Sequence, residues 1–412
     1  MTDDLAPSLL LDAAVIDDPY PFYRRLHAHA PVWQVPGTEV FIVSSFAAVA
    51  EATGRVEDFS SNMQCLLYRD SDGVPQRLSF GDAGIQTLAT ADPPLHALHR
   101  NTVFPDLVAK RMAALEPDIA QVAHQCVQRA VEQRKIEFMA SVGNVVPITM
   151  ISRLIGFHDA DPDRLLRAAF DSTAMLGSTL TLDDLHHLIA VSDDIGTWIA
   201  EQLTSAAVAP GDDILGSVAR GLASGALGVQ EGRVILHTLL SAGGESTTSL
   251  LGNAARILAE QPDLQHHLRD RPELVDAFVE EALRLESPFR YLMRSVPTTT
   301  SLAGVDIPVG ATVLLFWGAA NRDAAEYDHA DQVDLERRIA RHHVAFGRGI
   351  HHCVGAPLAR LEARVVLTTL LEHTSDITLD SDRPPRWVNS LLVRRQEHLH
   401  IRLEPRPRSA HG

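Results

Sequence analysis

Cysteine is scarce in this chain of 412 residues. Only Cys65, Cys126 and Cys353 are present, and they stand far apart. An odd number at wide spacing argues against a disulfide framework. No Cys-x-x-Cys pair occurs, so the usual ligand pattern of zinc and iron–sulfur sites is missing. Free cysteines are mostly small buried apolar residues, and we expect that role for Cys65 and Cys126.

Long apolar runs and basic surface are missing as well. No segment approaches the roughly 18 uncharged apolar residues of a membrane span. Residues 1–36 lack a basic region followed by an apolar one, the pattern of an export signal. We therefore expect a cytoplasmic protein without a membrane anchor. Lysine occurs only at Lys110 and Lys135, and the net charge of −17 argues against a nucleic-acid-binding protein.

Apolar residues recur at helical spacing through most of the chain. The pattern predicts helices at 108–133, 145–156, 182–205, 229–260, 273–286 and 355–373. Shorter patterns predict a strand at 40–44, a small hairpin region from 302–303 and 313–316, and a C-terminal pair from 377–379 and 398–403. Long helices with scattered strands do not fit a doubly wound sheet. The sequence therefore predicts a mainly α (α+β) fold in which residues 1–412 form a single domain.

The most specific segment is 346–355, which reads Phe-Gly-Arg-Gly-Ile-His-His-Cys-Val-Gly. Glycines on both sides of Cys353 permit backbone conformations that other residues resist, so a flat ligand can approach the main chain. Pro357 lies in the first turn of the following helix, whose N–H groups and dipole favour a thiolate at Cys353. A buried structural cysteine remains an alternative at this point. A zinc site of His351, His352 and Cys353 is another, although no second ligand cluster would complete it.

The pattern Phe-Gly-x-Gly-x-His-x-Cys-x-Gly resembles the cysteine loop of the cytochromes P450, the haem-thiolate monooxygenases, and the match is complete. The resemblance implies a cytochrome P450 fold and a haem b cofactor whose iron is bound by the thiolate of Cys353. It further implies that Phe346 packs beside the thiolate, that Gly347 belongs to the haem-binding loop, and that His351 contacts a haem propionate. Thiolate ligation favours cleavage of the O–O bond.

A second distinctive segment, 239–248, reads Leu-Leu-Ser-Ala-Gly-Gly-Glu-Ser-Thr-Thr inside a predicted helix. Two glycines there cost roughly 1 kcal/mol each relative to alanine. Such a cost suggests that a ligand comes close to the helix or that the helix widens locally. A softened helix with a polar solvent face is the plainer alternative.

The same segment resembles the family's distal helix, Ala-Gly-x-Asp/Glu-Thr-Thr, with Ala242, Gly243 and Glu245 at matching positions. The resemblance implies that Ala242 and Gly243 border the haem and that Glu245 and a hydroxyl deliver protons. Ser246 stands where the family usually has threonine. It keeps the hydroxyl but loses the β-methyl group that stiffens the side chain. Thr247 follows and is the second candidate for that hydroxyl.

Further residues complete the resemblance along the chain. His96 and Arg100, four residues apart on one predicted helix face, and Arg294 resemble the family's propionate-binding residues. Glu281 and Arg284 resemble its Glu-x-x-Arg helix, a structural element.

The third member of that structural group is expected at Arg337. The chain has no flavin, NAD or iron–sulfur motif, and the resemblance implies that a ferredoxin or flavodoxin, with its reductase, supplies electrons for the activation of O₂. Four arginines near the cysteine loop predict a patch that steers an acidic donor, with a solvated helix face as the alternative. They are Arg341, Arg348, Arg360 and Arg364.

The segments that form the substrate pocket in the family are apolar in this chain, which predicts a small, largely apolar substrate. Their apolar residues include Met63, Leu66, Leu239, Phe289, Leu292, Leu391 and Leu392. Arg290 is the exception, and a substrate acid, a propionate or another protein group is its expected partner. Two rival functions remain: a haem-thiolate enzyme that uses peroxide or isomerises, and a haem-binding gas sensor. The motif at Glu245 argues against the first, and the lack of a signalling domain argues against the second.

Overall fold

The computed structural model describes residues 5–80, 86, 88–107, 112–157, 159–191, 193–338 and 340–407. Its α-helices, α1 to α15 in chain order, are Ala13–Asp17, Tyr20–His29, Phe46–Gly54, Leu95–Val103, Glu116–Gln133, Val145–Ile155, Pro162–Met175, Leu182–Val191, Asp193–Val208, Ile214–Ala223, Val229–Glu260, Pro262–Asp270, Val275–Leu285, Trp317–Ala320 and Ala356–His373. Its strands, β1 to β13, are Val32–Gln34, Val40–Val43, Cys65–Arg69, Pro75–Ser79, Lys135–Glu137, Leu292–Ser295, Thr300–Leu302, Val305–Ile307, Thr312–Leu315, Thr374–Leu379, Arg386–Trp387, Gln396–His398 and His400–Pro405.

The longest helix, α11, lies at the centre of the helical region. It packs against α6, α7, α9 and α15, and its residues from Thr247 to Ala255 are buried without interruption. A helix that is apolar or small on nearly every face is stable only where other helices cover it. This helix therefore fixes the position of the segment 242–247.

Most predicted helices are confirmed to within a few residues, but two predictions were wrong in detail. The predicted helix at 182–205 is two helices, α8 and α9. Residue 192, between them, lies outside the described part of the chain. The helix predicted from residue 108 begins at Glu116, with Pro117 in its first turn; residues 108–111 lie outside the described part of the chain.

The strands form small sheets, and the largest has the order β1-β2-β9-β6. The hairpin predicted from 302–303 and 313–316 was wrong: β7 pairs with β8 across Gly304, whereas β9 pairs in parallel with β2 and antiparallel with β6. A turn at Gly304, with φ of +79°, closes the short hairpin before β9 begins. The predicted C-terminal pair is confirmed, since β10 and β13 pair with Ile377 opposite Leu403.

Candidate active site

The cysteine loop has the special backbone that its glycines predict. Gly347 and Gly349 have φ of +67° and +71°, a region that favours glycine. The Cys353 N–H donates to the Phe346 carbonyl at 2.9 Å, which closes the loop just before α15. At the end of the loop, the N–H groups of Gly355 and Ala356 lie where they favour the thiolate form of Cys353. The helix N-terminus therefore faces the sulfur, as predicted.

The electrostatic surroundings of Cys353 act in both directions. Cys353 is exposed, yet the protein atoms around its sulfur raise the pKa of the thiol, while the N–H groups of Gly355 and Ala356 and the guanidinium groups of Arg100 and Arg360 act to lower it. A bound metal cation would favour the thiolate in the same direction as these N–H and guanidinium groups. Within the described residues no group of three His, Cys, Asp or Glu side chains is placed to hold a metal ion, so the structure does not support the zinc alternative.

Four donors gather beside this loop. The rings of His96 and His351 lie with centroids 4.3 Å apart, and the Nε2 atoms of both are buried without a hydrogen-bond partner in the described part of the chain. Arg294 is buried, and its guanidinium donates to the Met293 carbonyl at 2.8 Å. Arg100 donates to the carbonyls of the loop residues 350 and 352.

The charges of these donors are not balanced nearby. Burial, together with Arg294, His96 and Arg100, lowers the pKa of His351 to about 3. Burial lowers the pKa of Arg294 to about 10, against the influence of Asp92. Buried cations and orphaned donors are costly unless an anion meets them. The cluster of His96, Arg100, Arg294 and His351 therefore fits the two carboxylates of a haem whose iron is bound by Cys353.

The glycines of the distal helix have a structural explanation that the sequence did not suggest. A Cβ atom on Gly243 would lie 2.7 Å from the Ile151 side chain of α6. One on Gly244 would lie 3.2 Å from the Ala169 Cβ of α7. The helix is continuous through this point. The glycines thus let two helices pack closely against α11, and contact between Gly243 and a cofactor stays a prediction.

The two candidate hydroxyls differ in their surroundings. Ser246 is half-buried and donates from Oγ to the carbonyl of Ala242, an exposed residue, at 2.6 Å. Ala242 and Ser246 therefore share the open face of the helix. Thr247 is buried. Of the two, Ser246 has the more accessible side chain, and it lies on the same helix face as Ala242.

Glu245 is buried and is held by groups from three parts of the chain. Arg395 Nε donates to Oε1 at 2.7 Å, Thr173 Oγ1 donates to Oε2 at 2.9 Å, and Ser249 donates to Oε1 at 3.3 Å. Arg395 also stacks on Phe170 of α7, 3.8 Å from the ring centroid. Sequence analysis missed Arg395 and Thr173, because neither stands in a motif and each meets Glu245 only through the fold.

The predicted structural group is present. Arg284 and Glu281 form a fully buried pair with two hydrogen bonds of 2.8 Å, and Arg337 donates to the same carboxylate at 3.0 Å. Arg284 also donates to the carbonyls of Asn321 and Ala330. These bonds join α13 to the segment that leads to the cysteine loop.

Arg290 has protein groups as its partners. It is buried and donates to the carbonyls of Ile16 and Ser390. Of its three expected partners, the structure supports the last, a role in joining the N-terminal segment to the loop near Ser390. Burial lowers the pKa of its guanidinium.

Comparisons with known proteins agree with this site. The model of the family "Cytochrome P450" matches residues 223–401. Cytochrome P450 144 of Mycobacterium tuberculosis is 39% identical over 95% of this chain and 90% of its own length. Mycinamicin IV hydroxylase/epoxidase of Micromonospora griseorubida is 33% identical over 74% of this chain and 77% of its own.

A solved structure shows the same fold. CYP109E1 of Bacillus megaterium, in complex with testosterone, superposes with a TM-score of 0.83 at 28% identity and covers 94% of this chain and 98% of its own. No helix of the described residues is long and apolar enough to cross a membrane. With its fold and its relatives in agreement, the chain belongs to the cytochrome P450 family of haem b monooxygenases.

Proposed function

We propose that this chain, working as a single domain, uses two electrons from a separate redox partner to activate O₂ and to oxidise, most often hydroxylate, a small and largely apolar substrate. The observation that carries the proposal is the pairing on α11 of a held acid, Glu245, with the half-buried hydroxyl of Ser246. Haem b, when bound, supplies the site at which oxygen is activated. The proposal assigns these roles to individual residues of this chain, which membership of the family alone does not do.

In this proposal Cys353 binds the haem iron, and His96, Arg100, Arg294 and His351 bind its propionates. Each of these four is a donor, and within the described residues the Nε2 atoms of His96 and His351 have no hydrogen-bond partner, which supports the role. Charge-assisted hydrogen bonds of this kind are roughly twice as strong as neutral ones.

The proton path begins at Glu245 and ends at the hydroxyl of Ser246. Ser246 holds its proton toward the Ala242 carbonyl and can turn to donate elsewhere. Because Arg395 holds the Glu245 carboxylate, Glu245 must leave that partner and take up a proton from solvent before it can pass one toward Ser246. Thr247 is a less suitable donor because it is buried.

The proposed substrate is apolar because the segments expected to border the pocket carry apolar side chains. Leu391, Leu392, Phe289 and Leu292 belong to one apolar cluster, and Leu239 lies on α11 two turns before Ser246. The guanidinium of Arg290 is directed at the main-chain carbonyls of Ile16 and Ser390. The hydroxylation named for the mycinamicin relative supports the reaction type.

The proposed electron donor is an acidic ferredoxin or flavodoxin that binds over the cysteine loop. Three of the four predicted arginines have carboxylate partners: Arg360 and Arg341 contact Glu280, at 2.6 Å and 3.7 Å, and Arg364 pairs with Glu116. Arg348 is exposed, and the side chain of Arg341 is still 74% exposed beside Glu280, so these two are the ones most accessible to a partner. The patch is therefore less basic than the sequence suggests. Exposed Leu98, Phe104 and Ile350 add apolar surface around it.

The test is reconstitution with haem, a reductase and a ferredoxin or flavodoxin, after a screen of apolar compounds for substrate-induced spectral shifts. Product formed with NAD(P)H and O₂ in step with electron consumption supports the proposal. Turnover with peroxide alone would instead identify a peroxide-using enzyme. Haem binding without product from any compound that shifts the spectrum would favour a sensor and would contradict the proposal.

A further inference from the structure

A buried carboxylate lies on the side of the cysteine loop away from the donor cluster. Glu280 of α13 accepts two hydrogen bonds from Arg360, of 2.6 Å and 2.9 Å. It also meets His343 Nε2 at 3.0 Å. The His343 Nδ1 accepts from the Ala345 N–H, so Nε2 carries the proton that it donates to Glu280. Burial alone would raise the pKa of Glu280, but His343 and Arg360 outweigh it and lower the pKa to about 2.

The fork, meaning the two hydrogen bonds from Arg360 to Glu280, holds the Arg360 guanidinium against the cysteine loop. The Arg360 guanidinium carbon lies 4.5 Å from the centre of the Phe346 ring. Phe346 in turn accepts the hydrogen bond from the Cys353 N–H through its carbonyl. A planar guanidinium held in two bonds and stacked on a ring has one orientation, which a flexible ammonium would not keep.

This cation lies against the loop that carries the sulfur, since it stacks on Phe346 and the Phe346 carbonyl accepts from the Cys353 N–H. The Arg360 side chain is 25% exposed, so water only partly screens its charge. Second-shell charges and hydrogen bonds near a metal ligand are known levers on reduction potential.

We propose that Glu280 and Arg360 are positioning residues that set the reduction potential of the haem iron: Glu280 holds the Arg360 guanidinium over Phe346, and the fixed cation stabilises the electron added beside Cys353. The inference rests on the ligation of haem by Cys353. It assigns Arg360 primarily to the thiolate and not to the electron donor. The Arg360 cation lies on the Phe346 ring, and the Glu280 carboxylate lies behind the guanidinium. We therefore expect the positive charge to have the larger effect on the reduction potential.

The experiment measures the midpoint potential of the ferric–ferrous couple in the substrate-free holoprotein by optical redox titration, without any electron donor protein. Arg360→Gln removes the cation and is expected to lower the potential. Glu280→Gln keeps an amide oxygen as an acceptor for Arg360 but removes the compensating negative charge, so it is expected to raise the potential. Arg364→Gln is the matched control, because Arg364 lies one turn further along α15 and pairs with Glu116. It is expected to keep the parent potential.

Arg360→Lys covers the case in which Glu280→Gln does not take up haem. It keeps the charge without the fork, and its potential is expected between those of the parent and Arg360→Gln. The inference is overturned if Arg360→Gln and Arg360→Lys both keep the midpoint potential of the parent while the reduced carbonyl complex keeps its thiolate-type spectrum. Arg360 would then be a docking or structural residue. A parent protein that lacks that spectrum would overturn the haem ligation itself, which separates the two failures.

Discussion

Arg395 and Glu245, 150 residues apart in sequence, are joined by a hydrogen bond of 2.7 Å in the buried region between α7 and α11. The side chain of Glu245 is 1% exposed and that of Arg395 is 11% exposed. The acid of the distal helix is therefore fixed by a cation from the C-terminal part of the chain. Thr173 and Ser249 complete its surroundings.

Arg395→Ala is expected to destabilise the protein by about 3–5 kcal/mol, because it leaves the Glu245 carboxylate buried without a cation. Chemical unfolding of the haem-free and haem-bound proteins measures the change. The double variant Glu245→Gln with Arg395→Ala should recover much of the loss, since a buried amide needs no cation. Arg383→Ala removes a half-exposed partner of Asp380 and is expected to cost less than about 1 kcal/mol. Equal losses of unfolding free energy for Arg395→Ala and Arg383→Ala would show that the buried pair stabilises the protein no more than the exposed pair does.

Ser246→Ala is expected to divert electrons from product to peroxide, because the hydroxyl proposed to deliver protons is lost. Oxygen uptake, peroxide and product are measured together with a substrate found in the spectral screen. Ser246→Thr should keep the coupling of the parent.

Thr247→Val is the control for that experiment, since Thr247 is buried and the substitution conserves its shape. It is expected to stay coupled. Uncoupling by Thr247→Val, with Ser246→Ala still coupled, would reverse the assignment of the hydroxyl.

Arg294→Gln is expected to speed the loss of haem to a haem acceptor by roughly tenfold or more, since a hydrogen bond to a charged group contributes about 1.5–3 kcal/mol. His96→Ala should act in the same direction, because the Nε2 atom of His96 has no partner in the described residues. Arg153→Gln is the control, because Arg153 is half-exposed beside Asp118. If Arg294→Gln retains haem as well as the control does, Arg294 is not a propionate-binding residue.

The protein is expected to lose stability as the pH falls from about 5 to 2, and Glu286 contributes to that loss. Burial would raise the pKa of Glu286, but Arg394, Arg256 and Arg322 outweigh it and lower the pKa to about 2. The unfolded chain therefore binds a proton at higher pH than the folded protein does, and stability rises with pH across this interval. Glu286→Gln should reduce the slope of unfolding free energy against pH. The exposed Glu397→Gln serves as its control, and an unchanged slope in Glu286→Gln would contradict the role of the buried cluster.

Sequence and structure agree where chemistry is carried by neighbouring residues. The cysteine loop is contiguous, so its glycines, its helix N-terminus and Cys353 were predictable together. The length of α11 followed from its apolar periodicity, and Glu281 with Arg284 from spacing on one helix face.

Partners brought together by the fold were not predictable. The cations that hold Glu245 and Glu280 come from Arg395 and Arg360, and no local pattern distinguishes them from surface arginines. The glycine at 243 is explained only by Ile151, a side chain of another helix. The strand at 312–315 lies in the sheet of β2, because pairing depends on the whole chain and not on the nearest turn.

The most direct test of the site is Cys353→Ala, compared with Cys126→Ala, whose buried sulfur lies on α5. The measurement is the absorption spectrum of the reduced carbonyl complex after reconstitution with haem b. The parent and Cys126→Ala are expected to show the thiolate-type band, and Cys353→Ala is expected to lose it. A thiolate-type band retained by Cys353→Ala would contradict the assignment of the iron ligand and with it the proposed chemistry.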